Sequence, residues 1–186
     1  QWEYFCNYLM SQNYIARTKT SDLDYISLLA KGYEKVEKLQ ATDIANKNVF
    51  VSMAFSDGTA NTREALRSGI LDSGFSPEFL DEIIHNKQIV PEMFRLIREC
   101  RFLILEISDP NYGAYYEAGY ALGLGKEVII CCSEETFNKK YETAEEQKYA
   151  RYLRPHFDIA QKQILIWKDY QDLAHKLTEW IKALFA

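Results

Sequence analysis

The sequence predicts an α/β protein in which a five-stranded, mainly parallel sheet lies between two layers of helices. From Asn48 onward, short continuous apolar runs alternate with amphipathic helical stretches, a pattern typical of a parallel sheet covered on both faces. The run at residues 102–105 does not alternate with polar residues, as expected for a strand buried on both sides. The chain has 186 residues, of which 47% are hydrophobic and 26% charged, a size and composition typical of a globular protein with one main core.

The predicted elements follow one another at the spacing of successive βα units. The third apolar run is expected to be the central strand, and Gly74 is expected to end the first helix of this region. A long charged insertion at residues 133–162 exceeds ordinary loop length, contains the helical pattern TAEEQKYARYL, and is interpreted either as a lid or as an oligomer contact. The predicted strands are residues 49–55, 75–80, 102–107, 127–132 and 163–167, and the predicted helices are residues 62–71, 88–100, 115–124 and 170–185.

A polar stretch at residues 40–47 predicts a boundary between an N-terminal segment, residues 1–46, and the α/β domain, residues 47–186. The N-terminal segment has the pattern helix, strand, turn, strand, followed by a short helix. Its residues 13–39, NYIARTKTSDLDYISLLAKGYEKVEKL, resemble the C-terminal half of a winged helix. The alternative interpretation is a packing segment without a function of its own.

Charge and cysteine content exclude several functional classes. The formal net charge of −5 provides no global footprint for nucleic acid or anionic membrane, so nucleic-acid contact is expected only through the N-terminal segment. No apolar run reaches the roughly 18 to 20 residues of a membrane-spanning helix. The 4 cysteines lack zinc-site spacing, so we expect buried thiols, no metal, no cofactor and a cytoplasmic protein.

The loops that follow the predicted strands are the expected location of a ligand site. In open parallel sheets, ligands bind beyond the carboxyl ends of the strands, where the strand order reverses. Phe55 begins the loop after the first strand, His85 lies beyond the second, and Asp109, Asn111 and Gly113 follow the third. We expect these three loops to converge.

Glu117 is a candidate for chemistry because it is a carboxylate in a helix otherwise rich in alanine, glycine and tyrosine. Glu106 and Asp109 lie just upstream. Cleavage of a glycosidic bond uses two acidic groups, one that attacks the anomeric carbon and one that transfers a proton. The alternative is a structural glutamate that faces solvent or pairs with an arginine.

Residues 102–132, FLILEISDPNYGAYYEAGYALGLGKEVIICC, resemble the core of the nucleoside 2-deoxyribosyltransferase-like family, which is related to TIR-like NAD hydrolases. VFVSMAF, HNKQIVPEMFRLIRECRFLI and HFDIAQKQILIW resemble further parts of the family, so the resemblance extends over residues 48–186. It implies a flavodoxin-like three-layer sandwich, an N-glycosidic bond as the substrate bond, and Glu117 as the nucleophile.

The resemblance also implies roles for residues around Glu117. Asp109 and Asn111 would contact the sugar or assist proton transfer, and Phe55 would line the base pocket. Relatives usually have Asp where this chain has Glu106. Glu106, Gly113, Tyr116 and His85 are further candidates for substrate binding, and His156 and Asp158 are candidates for completing the site of a neighbouring subunit.

Two functions remain open at this point. The first is an N-glycosidase or nucleoside deoxyribosyltransferase-like enzyme acting on a nucleoside, a nucleotide or an NAD-like molecule. The second is a non-catalytic nucleotide-sensing module coupled to a DNA-binding or defence function. A purely structural oligomerisation domain is a third interpretation. A homo-oligomer is expected in any case, because Tyr112, Tyr115, Tyr116 and Tyr120 surround one helix and present more aromatic surface than one crevice buries.

Overall fold

The computed structural model describes residues 1–20, 23–82, 89–109, 111–139, 143 and 163–185. The chain forms two compact units, Gln1–Asn46 and Lys47–Ala186. The predicted helix in TAEEQKYARYL lies outside the described residues, and so do His85, His156 and Asp158. Each helix within the described ranges is too short or too polar to cross a membrane.

The N-terminal unit is a helix, a hairpin and a second helix. Its elements are α1 (Trp2–Ser11), the antiparallel strands β1 (Ile15–Lys19) and β2 (Asp24–Leu28), and α2 (Ala30–Ala45). Gly32 is required where α2 meets the hairpin, because a Cβ there would lie 2.1 Å from the carbonyl oxygen of Tyr14. The unit contains five Lys and Arg against six Asp and Glu, so it lacks the basic balance that is typical of nucleic-acid-binding modules.

The second unit contains a five-stranded parallel sheet with the order β4-β3-β5-β6-β7. Numbered along this unit, the order is 2-1-3-4-5, which is that of flavodoxin-like folds. The predicted fold class is therefore confirmed, and β5 is central as expected. The strands are β3 (Asn48–Ser52), β4 (Ser76–Phe79), β5 (Phe102–Glu106), β6 (Val128–Ser133) and β7 (Ile164–Trp167).

Helices cover both faces of this sheet. Helices α3 and α7 pack together on one face, over a core that includes Val51 and Ile104. Helices α4 and α5 cover the other face, over a core that includes Phe50 and Leu105. Gly74, with φ of 83°, follows the end of α3 and ends the helix as predicted. The helices are α3 (Ala60–Asp72), α4 (Ile89–Glu99), α5 (Tyr112–Gly123), α6 (Glu134–Phe137) and α7 (Tyr170–Phe185).

Candidate functional site

The crevice of this fold lies between the carboxyl ends of β3 and β5. These strands are paired through Ser52 and Leu105. The chain leaves β3 toward α3 on one face of the sheet and leaves β5 toward α5 on the other. Because the two loops diverge, they leave an opening at the point where the strand order reverses.

Glu117 lies below this opening, in the second turn of α5. The hydroxyl of Ser52, the last residue of β3, donates a hydrogen bond to the Glu117 carboxylate, and its oxygen lies 3.3 Å from the carbonyl oxygen of Ala114. Ser52 is only 1% exposed, and Glu117 is half-buried. Within the described ranges, no lysine or arginine forms an ion pair with Glu117.

Burial decides the electrostatics of Glu117. Loss of solvation raises the pKa of Glu117 above its ordinary value, while the hydrogen bond from Ser52 opposes this increase. An arginine partner would stabilise the charge and reduce the reactivity of the carboxylate, whereas a serine hydroxyl satisfies one oxygen without neutralising the group. A carboxylate in this setting has the surroundings of a candidate nucleophile.

Asn111 connects the two loops that border the crevice. Its Oδ1 accepts a hydrogen bond of 2.9 Å from the backbone N–H of Gly113 and so caps α5. Its Nδ2 donates a hydrogen bond of 3.1 Å to the carbonyl oxygen of Met53, just after β3. This cap starts α5 at Tyr112, three residues before the predicted start of the helix. Asn111 therefore holds the start of α5 against the end of β3.

Glu106 ends the central strand and is 1% exposed. Its carboxylate accepts hydrogen bonds from the backbone N–H and the hydroxyl of Ser108, and the backbone N–H of Ser133 donates to the same hydroxyl oxygen at 2.7 Å. Burial raises the pKa of Glu106 to about 7, against the effect of the Ser108 hydrogen bonds, and the charge of Asp109 adds to the increase. The indole N–H of Trp167 lies close enough to lower this pKa slightly, but it has no hydrogen-bond partner among the described groups.

The carboxylates of Glu106 and Glu117 lie on opposite sides of the sheet. Side chains alternate along a strand, and Glu106 shares the side of Phe102 and Ile104 that faces α3 and α7. Glu117 instead contacts Ser52 on the side of α5. Asp109, which is exposed, contributes to the pKa of Glu106 and is not among the groups that shift the pKa of Glu117. The structure thus contains no direct pairing of Glu117 with either of the two acidic residues upstream.

Phe55 lies at a cavity beside the crevice, on the side of α3. Phe55 is 47% exposed, and the guanidinium of Arg63 lies 5.3 Å from the centre of its ring. Arg63 is held by Asp81 at 2.7 Å and by Glu82 at 3.0 Å. The cavity has a volume of about 420 Å³ and is lined by Phe55, Ser56, Ala60, Arg63, Glu64 and Asp81.

The remaining candidates lie at the start and on the outer side of α5. The backbone N–H of exposed Gly113 is used by Asn111. Tyr116 is exposed, and its ring packs edge-on against Phe94 of α4 at 6.0 Å. A larger cavity of about 570 Å³, between β7 and α7, contains none of the predicted site residues among its described lining. The described ranges also contain no cluster of His, Cys, Asp and Glu that could hold a metal ion.

Sequence reasoning did not identify Ser52, Arg63 or Trp167. Ser52 had a visible signal, because it is the polar residue inside the apolar run VFVSMAF, at the end of a predicted strand. Arg63 and Trp167 had none, since an arginine in an amphipathic helix and a tryptophan at a strand end are ordinary.

The fold and the crevice define a flavodoxin-like α/β protein with a half-buried carboxylate at the point where the strand order reverses. Several solved structures resemble it, among them the following three. The CMP N-glycosidase BcmB of Clostridium botulinum is 18% identical, with 72% of this chain and 99% of that chain covered and a TM-score of 0.46. A conserved protein from Enterococcus faecalis V583 is 13% identical, with 73% and 99% covered and a TM-score of 0.50. A diflavin flavoprotein A3 from Nostoc sp. is 14% identical, with 73% and 92% covered and a TM-score of 0.34.

At these identities the similarity concerns the fold alone. No protein-family model matches the sequence, and no curated protein sequence matches it either.

Proposed function

We propose that the α/β domain cleaves or transfers the N-glycosidic bond of a nucleoside or nucleotide, with Glu117 as the nucleophile. The observation that supports this proposal best is the half-buried Glu117 carboxylate at the crevice, which is hydrogen-bonded to a serine and has no basic partner among the described residues. The sequence around it, with its aromatic-Glu-x-Gly-Tyr-Ala pattern, adds support through its resemblance to nucleoside 2-deoxyribosyltransferase-like enzymes.

The reaction requires an ionised Glu117. One carboxylate oxygen attacks the anomeric carbon of the sugar, the carbon–nitrogen bond breaks, and the base leaves with the bonding electrons and takes up a proton. A water molecule then attacks the glycosyl-Glu117 ester and releases the sugar, which makes the protein a hydrolase. Attack by a second base instead would make it a transferase. The hydrogen bond from Ser52 holds one carboxylate oxygen, so the other is left for the attack.

Other residues receive supporting roles in this proposal. Asp109, exposed beside the crevice, is the candidate for proton transfer. Asn111 positions the start of α5 and with it Glu117. Phe55 and Arg63 border a cavity of about 420 Å³, which lies within the size range of small-molecule sites, and the exposed ring of Phe55 offers a surface on which a base can stack.

Glu106 is assigned to positioning, because its carboxylate faces the other side of the sheet. It holds Ser108, and Ser108 in turn binds the backbone N–H of Ser133 and accepts a hydrogen bond of 3.2 Å from Thr136 at its carbonyl oxygen. These contacts hold the loop after β5 against the end of β6.

The test measures, by chromatography, the release of free base from deoxynucleosides, ribonucleosides, NAD and nucleoside monophosphates. CMP belongs in this panel because it is the substrate named for one of the similar structures. The wild-type chain is compared with Glu117→Gln, which keeps the shape of the side chain and removes the nucleophile, and with Glu179→Gln, which changes an exposed glutamate of α7.

We expect base release from the wild type and from Glu179→Gln, and a loss of several orders of magnitude in Glu117→Gln with ligand binding retained. Undiminished release by Glu117→Gln would contradict the assignment of the nucleophile. Ligand binding by the wild type without any base release, measured by calorimetry on the same panel, would instead favour the nucleotide-sensing module.

A further inference from the structure

Helix α5 has a second apolar face that is mostly exposed in the described part of the structure. Its inner face, with Ala114, Ala118 and Ala121, packs against the sheet. Four residues point away from the sheet, and we call them the outer face of α5: Tyr112, Tyr116, Gly119 and Gly123. Tyr112 and Tyr116 are 63% and 61% exposed, and both glycines are exposed. The spacing of four, three and four residues is the spacing at which one helix contacts another along its length.

The two glycines of the outer face are not explained by the chain itself. A Cβ added to Gly119 or Gly123 would meet no atom of the described residues within 4 Å, and neither glycine has a positive φ. Glycine is the poorest residue for a helix interior after proline, so Gly119, in the middle of α5, weakens the helix without a benefit to packing among the described residues, and Gly123 lies at the last residue of the helix. Close approach of another backbone is the remaining use for glycine at such positions.

The order of residues along the outer face makes it complementary to itself. Its N-terminal half carries two bulky tyrosines, and its C-terminal half carries two glycines. When a second α5 runs antiparallel to the first, the tyrosines of each copy lie over the glycines of the other. A twofold axis between residues 116 and 119 produces this match in both halves at once, as an interface between identical surfaces requires.

We propose that the outer face of α5 is a dimer interface at which two copies of this chain pair through antiparallel α5 helices. The face itself has no charged residue, so two copies of a chain with net charge −5 can approach there without direct repulsion. The exposed carboxylate of Asp109 lies before the N-terminus of α5. Arg98, whose guanidinium donates a hydrogen bond of 3.2 Å to the Tyr120 hydroxyl, lies toward its C-terminus. Antiparallel pairing brings these opposite charges and the opposite ends of the two helix dipoles together.

The surface continues onto α4, which adds to the area available for burial. Phe94 packs against Tyr116 at 6.0 Å and Tyr120 at 4.6 Å, and Val90, one turn earlier in α4, is more than half exposed. Glu117 is not part of the outer face of α5, and its carboxylate accepts a hydrogen bond from Ser52 of β3. The dimer therefore leaves the carboxylate free, and this inference does not depend on the proposed function.

The first experiment measures the mass of the wild-type chain and two variants by light scattering at about 50 µM. Gly119→Glu introduces a carboxylate at the interface, and Leu71→Glu introduces the same charge at an exposed apolar position of α3. We expect twice the chain mass of 21.7 kDa for the wild type and for Leu71→Glu. We expect the single-chain mass for Gly119→Glu, with self-association weakened by a factor of about 100 or more, since each introduced carboxylate would be buried against Tyr116 of the other copy without a partner of opposite charge. A monomeric wild type, a dimeric Gly119→Glu, or a monomeric Leu71→Glu would each overturn the proposal.

The second experiment tests the antiparallel arrangement without relying on loss of association. Tyr116→Cys and Gly119→Cys chains of different length, made by adding a tag to one of them, are mixed and oxidised. The four natural cysteines are buried, so we expect few disulfide bonds between chains from these residues. Antiparallel pairing places residue 116 of one copy next to residue 119 of the other, so the mixed disulfide should form faster than either disulfide between identical variants. Preferential formation of the two disulfides between identical variants would indicate parallel pairing and overturn the proposed geometry.

Discussion

The hydroxyl of Ser52, at the end of β3, donates a hydrogen bond to the carboxylate of Glu117 in α5, 65 residues later in the chain. This contact fixes the candidate nucleophile between two rigid elements rather than on a loop. A position of this kind favours precise orientation, because a strand end and a helix turn move less than a connecting segment.

Replacement of Ser52 should change the pH dependence of base release. Ser52→Ala removes the hydrogen bond that lowers the pKa of Glu117, so this pKa should rise further. Because the ionised carboxylate is the nucleophile, the acid limb of kcat/KM should move to higher pH. We expect a loss of about tenfold or more near pH 6 and a smaller loss near pH 8. The measurement is kcat/KM across pH 5 to 9, with Ser76→Ala, at the exposed start of β4, as the control. An acid limb at the wild-type position in Ser52→Ala would show that this hydrogen bond does not affect the reacting group.

The stability of the α/β domain should fall between weakly acidic and neutral pH because of Glu106. Its pKa of about 7 in the folded protein exceeds the ordinary glutamate value of 4.5, so the folded state binds the proton more tightly than the unfolded state does. The resulting stabilisation is complete below about pH 4.5 and is lost as the pH rises through 7. A shift of this size corresponds to about 3 kcal/mol at most.

Glu106→Gln tests this prediction, because glutamine keeps an acceptor for Ser108 and cannot ionise. Urea unfolding at pH 5, 6.5 and 8 should show that the variant gains stability relative to the wild type as the pH rises. A stability difference that is independent of pH would contradict the assignment of the titrating group to Glu106.

Gly69→Ala should destabilise the packing of α3 against α7. A Cβ at Gly69 would lie 2.8 Å from the carbonyl oxygen of Ala174 and 3.2 Å from Cβ of Leu177. The helices would have to separate, at a cost of about 1 to 3 kcal/mol, which exceeds the gain of at most about 1 kcal/mol from the better helix propensity of alanine. We expect the Tm to fall by about 2 to 6 °C. Ser68→Ala, at the neighbouring exposed position, is the control, and an unchanged or higher Tm for Gly69→Ala would show that α7 can yield without cost.

Two substitutions of Asn111 should separate its two hydrogen bonds. Asn111→Asp keeps the acceptor for the N–H of Gly113 and loses the donor to the Met53 carbonyl, whereas Asn111→Ala loses both. Loss of the helix cap should cost about 1 kcal/mol in the alanine variant only. Base release should slow in both variants, because both lose the connection between the loops. These effects are measured by urea unfolding and by kcat/KM, and full activity in Asn111→Asp would show that the Met53 contact does not position the site.

The sequence by itself determined the class of fold and the order of its elements along the chain. Two kinds of local pattern carried this information: apolar runs of strand length, such as the one that forms β5, and the apolar periodicity of α7. Because these patterns are local, they identify a strand or a helix without knowledge of the elements that pack against it. Gly74 could be assigned to the end of α3 for the same reason. The predicted start of α5 was three residues too late, since that start depends on a side-chain cap by Asn111, which competes with other local arrangements.

Only the tertiary structure decided which of the candidate carboxylates lie next to one another. Glu106, Asp109 and Glu117 are close in sequence, and their proximity predicted a shared cavity. The strand places Glu106 on one face of the sheet, while α5 returns over the other face and directs Glu117 to Ser52. Which side chains meet across a sheet depends on the face to which each connection crosses, and the packing of the whole layer decides that crossing. The sequence therefore identified the candidate residues, and the packing of α5 on the sheet decided which of them are neighbours.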